Sequence, residues 1–328
     1  MVRDLILKAL SPPFASSDIG KSAFRTALET VHAALMEPYK IVRPAIELGL
    51  GDGISSLFVN RGQVFNVGLD MPIDMTNESR MFDWHPEAIQ YREFVGASME
   101  AIPYADGTFA TVYSSETMFY GMDLAKTASE IARILAPGGT FYCFMATDAW
   151  DKFPSMKREH MQTIVGMETP SDEAFGSHFT GAGLVLKKHV RFFSPALEIF
   201  LQKVRFSLSG LDPKGVFIDQ LAELLAYECD RPDGFHSFWI FDKPGEAVHV
   251  PYRRREALRC VECGGGLQFT PDWATCPCGT AYPVRFGVPM MVKASQRALS
   301  PKLGEIKTRP NTERLTKLQA DYERECVS

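Results

Sequence analysis

Apolar positions over residues 21–37 recur at helical spacing, with Phe24, Leu28, Val31 and Leu35 on one face, and predict an amphipathic helix with one buried side. The run from Arg43 to Leu48 predicts a short buried strand that breaks into a turn at Gly49, Gly51 and Gly53, with a helix starting over Ile54–Val59. Further apolar runs predict strands at about 64–70, 93–95, 109–114, 140–145, 184–193 and 237–241. Leu124, Ala128, Ile131 and Leu135 form a second helical stripe, closed by Pro137-Gly138-Gly139 as a hard stop. A third stripe, Leu197, Phe200, Leu201 and Val204, reads most simply as core. Strands alternating with helices imply an α/β fold, a doubly wound, mostly parallel seven-stranded sheet covered on both faces. Ligands of such sheets bind beyond the carboxyl ends of the strands, where the strand order reverses.

A length of 328 residues suggests about two domains, and 45% hydrophobic with 23% charged residues is ordinary globular composition. The apolar runs fall far short of the 18 or so residues that span a bilayer, and the first residues lack the apolar stretch of a secretory signal, so a cytoplasmic protein is expected. The formal charge of -5 is unevenly spread: the chain is acidic up to residue 245 and basic beyond it. An acidic body argues against a nucleic-acid substrate, which needs a patch of Lys and Arg to neutralise phosphates. Of the cysteines, Cys143 and Cys229 stand alone and read as small buried hydrophobes, whereas Cys260, Cys263, Cys276, Cys278 and Cys326 lie in the basic part.

Glycine at 49, 51 and 53 lets the backbone adopt positive φ and lets a ligand approach the main chain. A turn of this kind also serves plain packing, and the flanking acids are what favour a ligand. Glu47 stands two residues before the first glycine, and Asp70 ends the second strand about 20 residues on, where a carboxylate accepts both hydroxyls of a ribose. The turn carries no Lys, which disfavours a triphosphate.

Residues 43–147 resemble a class I S-adenosylmethionine-dependent methyltransferase with a Rossmann-like sheet. The resemblance rests on Glu47-Leu-Gly-Leu-Gly-Asp-Gly53, Val67-Gly-Leu-Asp70, the stretch Val95 to Phe109 containing Ser98-Met99, and Ala128 to Gly139. It implies that Gly49, Gly51 and Gly53 pass under the methionine moiety of the donor. Glu47 would reach the ammonium, Asp70 the ribose and Met71 one face of the adenine. Ser98, Met99 and Ser115 would complete the cofactor set. Ser98 departs from the acid usual at that place, and Ala110 from the usual Asp. After the fourth strand, Ser114-Ser-Glu-Thr-Met-Phe-Tyr120 would border the transferred methyl group. Glu116 and Tyr120 are therefore the candidate catalytic residues, to orient or deprotonate the acceptor. Residues 148–235, with His160, His178, His189, Phe192, Phe193, Phe200 and Phe206, would build the acceptor pocket.

Beyond a domain of residues 1–245 and a polar linker over 246–256, Cys260-Val-Glu-Cys263 and Cys276-Pro-Cys278 read as a four-thiolate zinc site. Within a domain of residues 257–295, the segment Leu258 to Val292 resembles the zinc-ribbon-like activating partners of tRNA methyltransferases, the departure being C-x-C in the second pair. So small a module needs a metal or docking to be stable. Residues 296–328 read as a terminal helix or tail with the stripe Leu315, Leu318 and Tyr322. The leading functional expectation is methylation of an oxygen or nitrogen of a small metabolite, such as a sugar or a secondary-metabolite intermediate. A tRNA or rRNA methyltransferase, and a non-catalytic scaffold presenting its ribbon, remain as alternatives, and the C-terminal module is expected to serve a protein partner or self-association.

Overall fold

The computed structural model describes residues 1–51, 53–60, 65–71, 93–118, 123–153, 169–204, 216–247, 251, 252, 254–285 and 287–293. Helices α1 (Val2–Ala9), α2 (Asp18–Lys21) and α3 (Ala23–Met36) lead into β1 (Ala45–Leu48). The chain continues through α4 (Ile54–Val59), β2 (Val67–Asp70), β3 (Glu93–Gly96), β4 (Phe109–Ser115), α5 (Leu124–Ile134) and β5 (Leu135–Ala146). Then come α6 (Asp172–Gly181), β6 (Val185–Phe192), α7 (Pro195–Val204), α8 (Val216–Tyr227) and β7 (His236–Asp242).

The seven strands pair in the order β3-β2-β1-β4-β5-β7-β6. β1 to β5 run parallel, and β7 is antiparallel to both its neighbours. The order reverses between β1 and β4, so the carboxyl ends of these two strands form the crevice where such sheets take ligands. Because β7 runs the other way, its first residue, His236, lies opposite Ala146 at the end of β5 and joins the same rim.

α3 departs from the single buried face its stripe predicts. Ser22 caps it by accepting a hydrogen bond from the Arg25 amide, and every residue from Thr26 to Met36 is buried. α1, α8 and the aromatic rings of β5 and β7 close around it in one apolar cluster, which takes Glu29 and His32 inside as well. In α7, Leu197 and Leu201 are buried but Phe200 is 57% exposed, so that stripe is core only in part. The Pro137-Gly138-Gly139 stop comes late: α5 ends at Ile134, and Lys243 Nζ donates to the carbonyls of Ala132 and Leu135 at 2.7 Å each.

A second, antiparallel sheet of β8 (Gln268–Phe269), β9 (Trp273–Thr275), β10 (Ala281–Arg285) and β11 (Val288–Pro289) follows. It docks on the β3 edge of the large sheet. The Met291 amide donates to Gly96 at 2.6 Å, the Ala105 amide to Ala257 at 2.9 Å and the Arg259 amide to Pro103 at 3.0 Å. Cys260, Cys276, Tyr282 and Met291 share one apolar cluster with Val95, Met99 and Tyr104. Within the polar segment 246–256, Tyr252 donates to Glu93 and packs against Phe109. The region expected as a terminal helix, residues 296–328, lies outside the described residues, as do Tyr120, His160 and Phe206.

Candidate active site

The glycine turn leaves β1 with Gly49, Gly51 and Gly53 all at positive φ, 76°, 56° and 73°. The three are not equivalent. A Cβ at Gly49 would sit 2.3 Å from the Thr117 side chain, so that glycine is needed for protein packing. A Cβ at Gly51 meets no atom of the described residues within 4 Å, so among these residues packing does not account for this glycine and the space above it is open. At the end of β2, Asp70 leans over the turn. Its Oδ2 accepts from the Gly51 amide and its Oδ1 from the Met71 amide, both at 2.7 Å. These two bonds orient the carboxylate over the turn. Glu47 is buried and accepts from Ser56 Oγ at the start of α4.

Of the remaining predicted contacts, Ser98 is buried at the end of β3 and accepts from the Glu100 amide at 3.1 Å. Met99 packs into the cluster shared with the second sheet, which gives it a core role. Ser115 ends β4, where its carbonyl accepts from Thr117 Oγ1 at 2.8 Å.

Glu116 follows Ser115 with φ of 51°, a left-handed backbone that costs a non-glycine residue on the order of 1–3 kcal/mol and is found mostly where function requires it. Its amide donates to Phe144 at 2.8 Å, and its Oε1 lies 2.9 Å from His236 Nδ1 and 3.6 Å from His32 Nε2. The other nitrogen of His236 meets Glu198 Oε2 at 2.8 Å, and the other nitrogen of His32 meets Glu29 Oε2 at 3.3 Å. Glu29 in turn pairs with Arg25 at 2.7 Å and accepts from Ser55 of α4 at 2.9 Å. One chain of alternating charge, Arg25–Glu29–His32–Glu116–His236–Glu198, thus runs from α3 to α7. Three carboxylates are matched by one guanidinium and two imidazoles.

His236 has a carboxylate oxygen at each ring nitrogen. A neutral imidazole would turn a lone pair toward one of them, so the ring is held as the doubly protonated cation. Burial alone would lower its pKa, but Glu116 and Glu198 raise it to about 10. His32 is likewise raised against its burial by Glu116 and Glu29. Burial would raise the carboxyl of Glu116, yet the two imidazoles hold it well below the usual carboxylate range. Glu116 is therefore a fixed anion and a feeble base, which favours the orienting role over deprotonation. Phe144 stacks on His32 with ring centroids 4.2 Å apart, and Phe192 on His236 at 5.6 Å.

The predicted acceptor-pocket residues divide differently. Phe192 and Phe193 are core beside this charge chain. His189 stacks on Trp239, hydrogen-bonds Ser237 at 3.0 Å and lies 3.4 Å from Asp172, in an ion-pair group with Arg191 away from Glu116. His178 lies on α6. The histidines at the rim are His32 and His236, which sequence reasoning did not single out. Glu29 and His32, three residues apart and so on one face of the predicted helix, were the available signal.

The sulfurs of Cys260, Cys263, Cys276 and Cys278 all lie within 4.8 Å of one another. Cys260 and Cys278 are 3.8 Å apart, and Cys263 and Cys276 are 3.4 Å apart. A tetrahedron with Zn–S bonds of about 2.3 Å has edges of about 3.8 Å. The shortened C-x-C knuckle therefore still converges on metal geometry. The Gly265 amide donates to Cys263 Sγ at 3.4 Å, and a Cβ there would sit 3.2 Å from that sulfur and 3.3 Å from the sulfur of Cys276.

Residues 46–143, which hold the glycine turn, Asp70, Ser98 and Glu116, match the family described as methyltransferase domain. The methyltransferase phqN of Penicillium fellutanum is 32% identical over 117 residues, 35% of this chain and 36% of the relative. The sterol 4-C-methyltransferase strm-1 of Caenorhabditis elegans is 27% identical over 147 residues, 43% of each chain. The chain thus spans less than half the length of these curated relatives. Among solved structures, a chain of the complex containing the Haloferax volcanii Trm112 methyltransferase activator aligns with 76% of this chain and 100% of its own, at 21% identity and a TM-score of 0.44. No described helix is long and apolar enough to cross a membrane.

Proposed function

We propose that the chain transfers a methyl group from S-adenosylmethionine to a small-molecule acceptor. The observation that carries this reading is the open space over Gly51 beside an Asp70 carboxylate already fixed at the second strand. The donor's methionine portion would lie along Gly49 to Gly53 near Glu47, its ribose on Asp70 and its adenine by Met71 and Ser98. The donor supplies an electrophilic sulfonium methyl; the protein's own part is to bind it and present the acceptor at Glu116. The family match over 46–143 and the curated methyltransferase relatives support the same reading. Asp70→Ala is expected to weaken S-adenosylmethionine binding by about 1.5–3 kcal/mol, the worth of hydrogen bonds to a charged group. Isothermal titration calorimetry checks it, and unchanged affinity removes the ribose assignment.

The division into a domain of residues 1–245, a linker over 246–256 and a zinc-ribbon-like module of 257–295 belongs to the same proposal. Cys260, Cys263, Cys276 and Cys278 would hold one structural zinc, supported by the convergence of the four thiols. Purified protein is expected to carry about one equivalent of zinc by elemental analysis, and Cys263→Ser to release it, because a hydroxyl replaces a thiolate poorly. Met291 pairs with Gly96, two residues from Ser98, so zinc loss should also weaken donor binding. A metal-free protein with the small sheet still folded would leave docking alone as its support.

A further inference from the structure

Glu116 offers the acceptor something more specific than a polar contact. Both imidazoles crowd one oxygen, Oε1, at 2.9 and 3.6 Å. Its Oε2 takes no hydrogen bond among the described residues, and the side chain keeps 17% exposure while Glu29, His32 and Glu198 keep 1% or less. The carboxylate is thus held on one side and presents an anionic oxygen that no described residue hydrogen-bonds, from a left-handed backbone position one residue from the Thr117 that touches Gly49. His236 hydrogen-bonds a carboxylate at each ring nitrogen, so it has no lone pair to take a proton, while His32 Nε2 lies 3.6 Å from Oε1, within ion-pair but not hydrogen-bond distance.

Methyl transfer from a sulfonium has two electrostatic forms. An oxygen acceptor that starts as O–H must lose its proton, and the reacting oxyanion would face a fixed negative charge. An uncharged nitrogen or carbon nucleophile needs no base. Its electron pair forms the bond to the methyl carbon as the methyl–sulfur bond breaks, the pair of that bond stays on sulfur, and the positive charge reappears on the acceptor. A fixed carboxylate beside the acceptor disfavours the first form and stabilises the developing cation of the second.

We propose that the acceptor is an uncharged nitrogen or carbon nucleophile that becomes cationic on methylation, a heteroaromatic or amine nitrogen or an electron-rich alkene carbon, with Glu116 Oε2 as the standing countercharge. This rests on the methyltransferase reading and narrows its acceptor to the class that leaves as a cation. His32 and His236 act through Glu116 as positioning residues.

The test uses the intact protein saturated with S-adenosylhomocysteine, its binding measured first by calorimetry. Failure of that step overturns the methyltransferase reading on which the inference rests. Benzyltrimethylammonium is then compared with its uncharged isostere neopentylbenzene and with benzoate. Expected is at least tenfold tighter binding of the ammonium than of either other probe, with the preference reduced to under threefold in Glu116→Gln. Equal binding of the isostere, tighter binding of benzoate, or no ammonium binding into the millimolar range would overturn the proposal from the wild-type protein alone. A preference that survives Glu116→Gln would overturn the assignment to this residue.

Discussion

His236→Leu is expected to lose about 3–5 kcal/mol of folding stability, the cost of leaving buried charges without their partner. The imidazolium lies between Glu116 and Glu198 at 2.9 and 2.8 Å, and a leucine of similar bulk would leave both carboxylates facing an apolar surface. The pH dependence separates this from simple loss of packing. His236 is raised from the ordinary 6.5 to about 10 in the fold, so its contribution is complete below pH 6.5 and is lost as pH rises toward 10. Over that window His236 should cost the wild type up to about 1.4 kcal/mol of stability per pH unit, and the variant should show a smaller loss, the part that His32 contributes. Glu116, lowered in the fold, works at the other end: its contribution is present above the ordinary 4.5 and is lost as pH falls below it. Urea denaturation at pH 6.5, 8 and 9.5 reads the slope. A His236→Leu protein as stable as the wild type, with the same pH profile, would show that the imidazole is neutral.

Gly51→Val is expected to abolish measurable donor binding while the sheet domain stays folded. With φ of 56°, Gly51 holds a conformation that strains a β-branched residue by roughly 1–3 kcal/mol, and the new side chain would occupy the open space over the turn. Its Cβ meets no atom of the described residues within 4 Å, so beyond that strain the loss should appear far more in calorimetry with S-adenosylmethionine than in the melting transition. The same change at Gly49 should unfold the turn, because its Cβ would collide with Thr117. A Gly51→Val protein that binds the donor normally would reduce the whole turn to packing.

The elements of the sheet were legible in the sequence because buried strands leave short apolar runs and the glycine turn interrupts one of them at a fixed place. Asp70 could be placed because the end of a strand beside such a turn is a local feature. The charge chain was not legible. Glu116, His236 and Glu198 are distant in sequence and meet only because the antiparallel β7 brings its first residue to the rim where the parallel strands end. A lone histidine in an apolar run such as Gly234-Phe-His-Ser-Phe238 reads as packing, and only strand direction turns it toward a carboxylate. The stripe of α3 misled for a related reason: periodicity marks the face that must be buried, but it does not register that α1 and α8 cover the other side. Phe200 shows the converse, an apolar residue at a stripe position that the fold leaves exposed.

The most direct test of the donor site is a crystal structure of the protein with S-adenosylhomocysteine. Expected is the homocysteine portion along Gly49 to Gly53, both ribose hydroxyls on the Asp70 carboxylate, and the sulfur on the side of the turn that faces Glu116. A ligand bound elsewhere, or one whose ribose makes no contact with Asp70, would contradict the assignment.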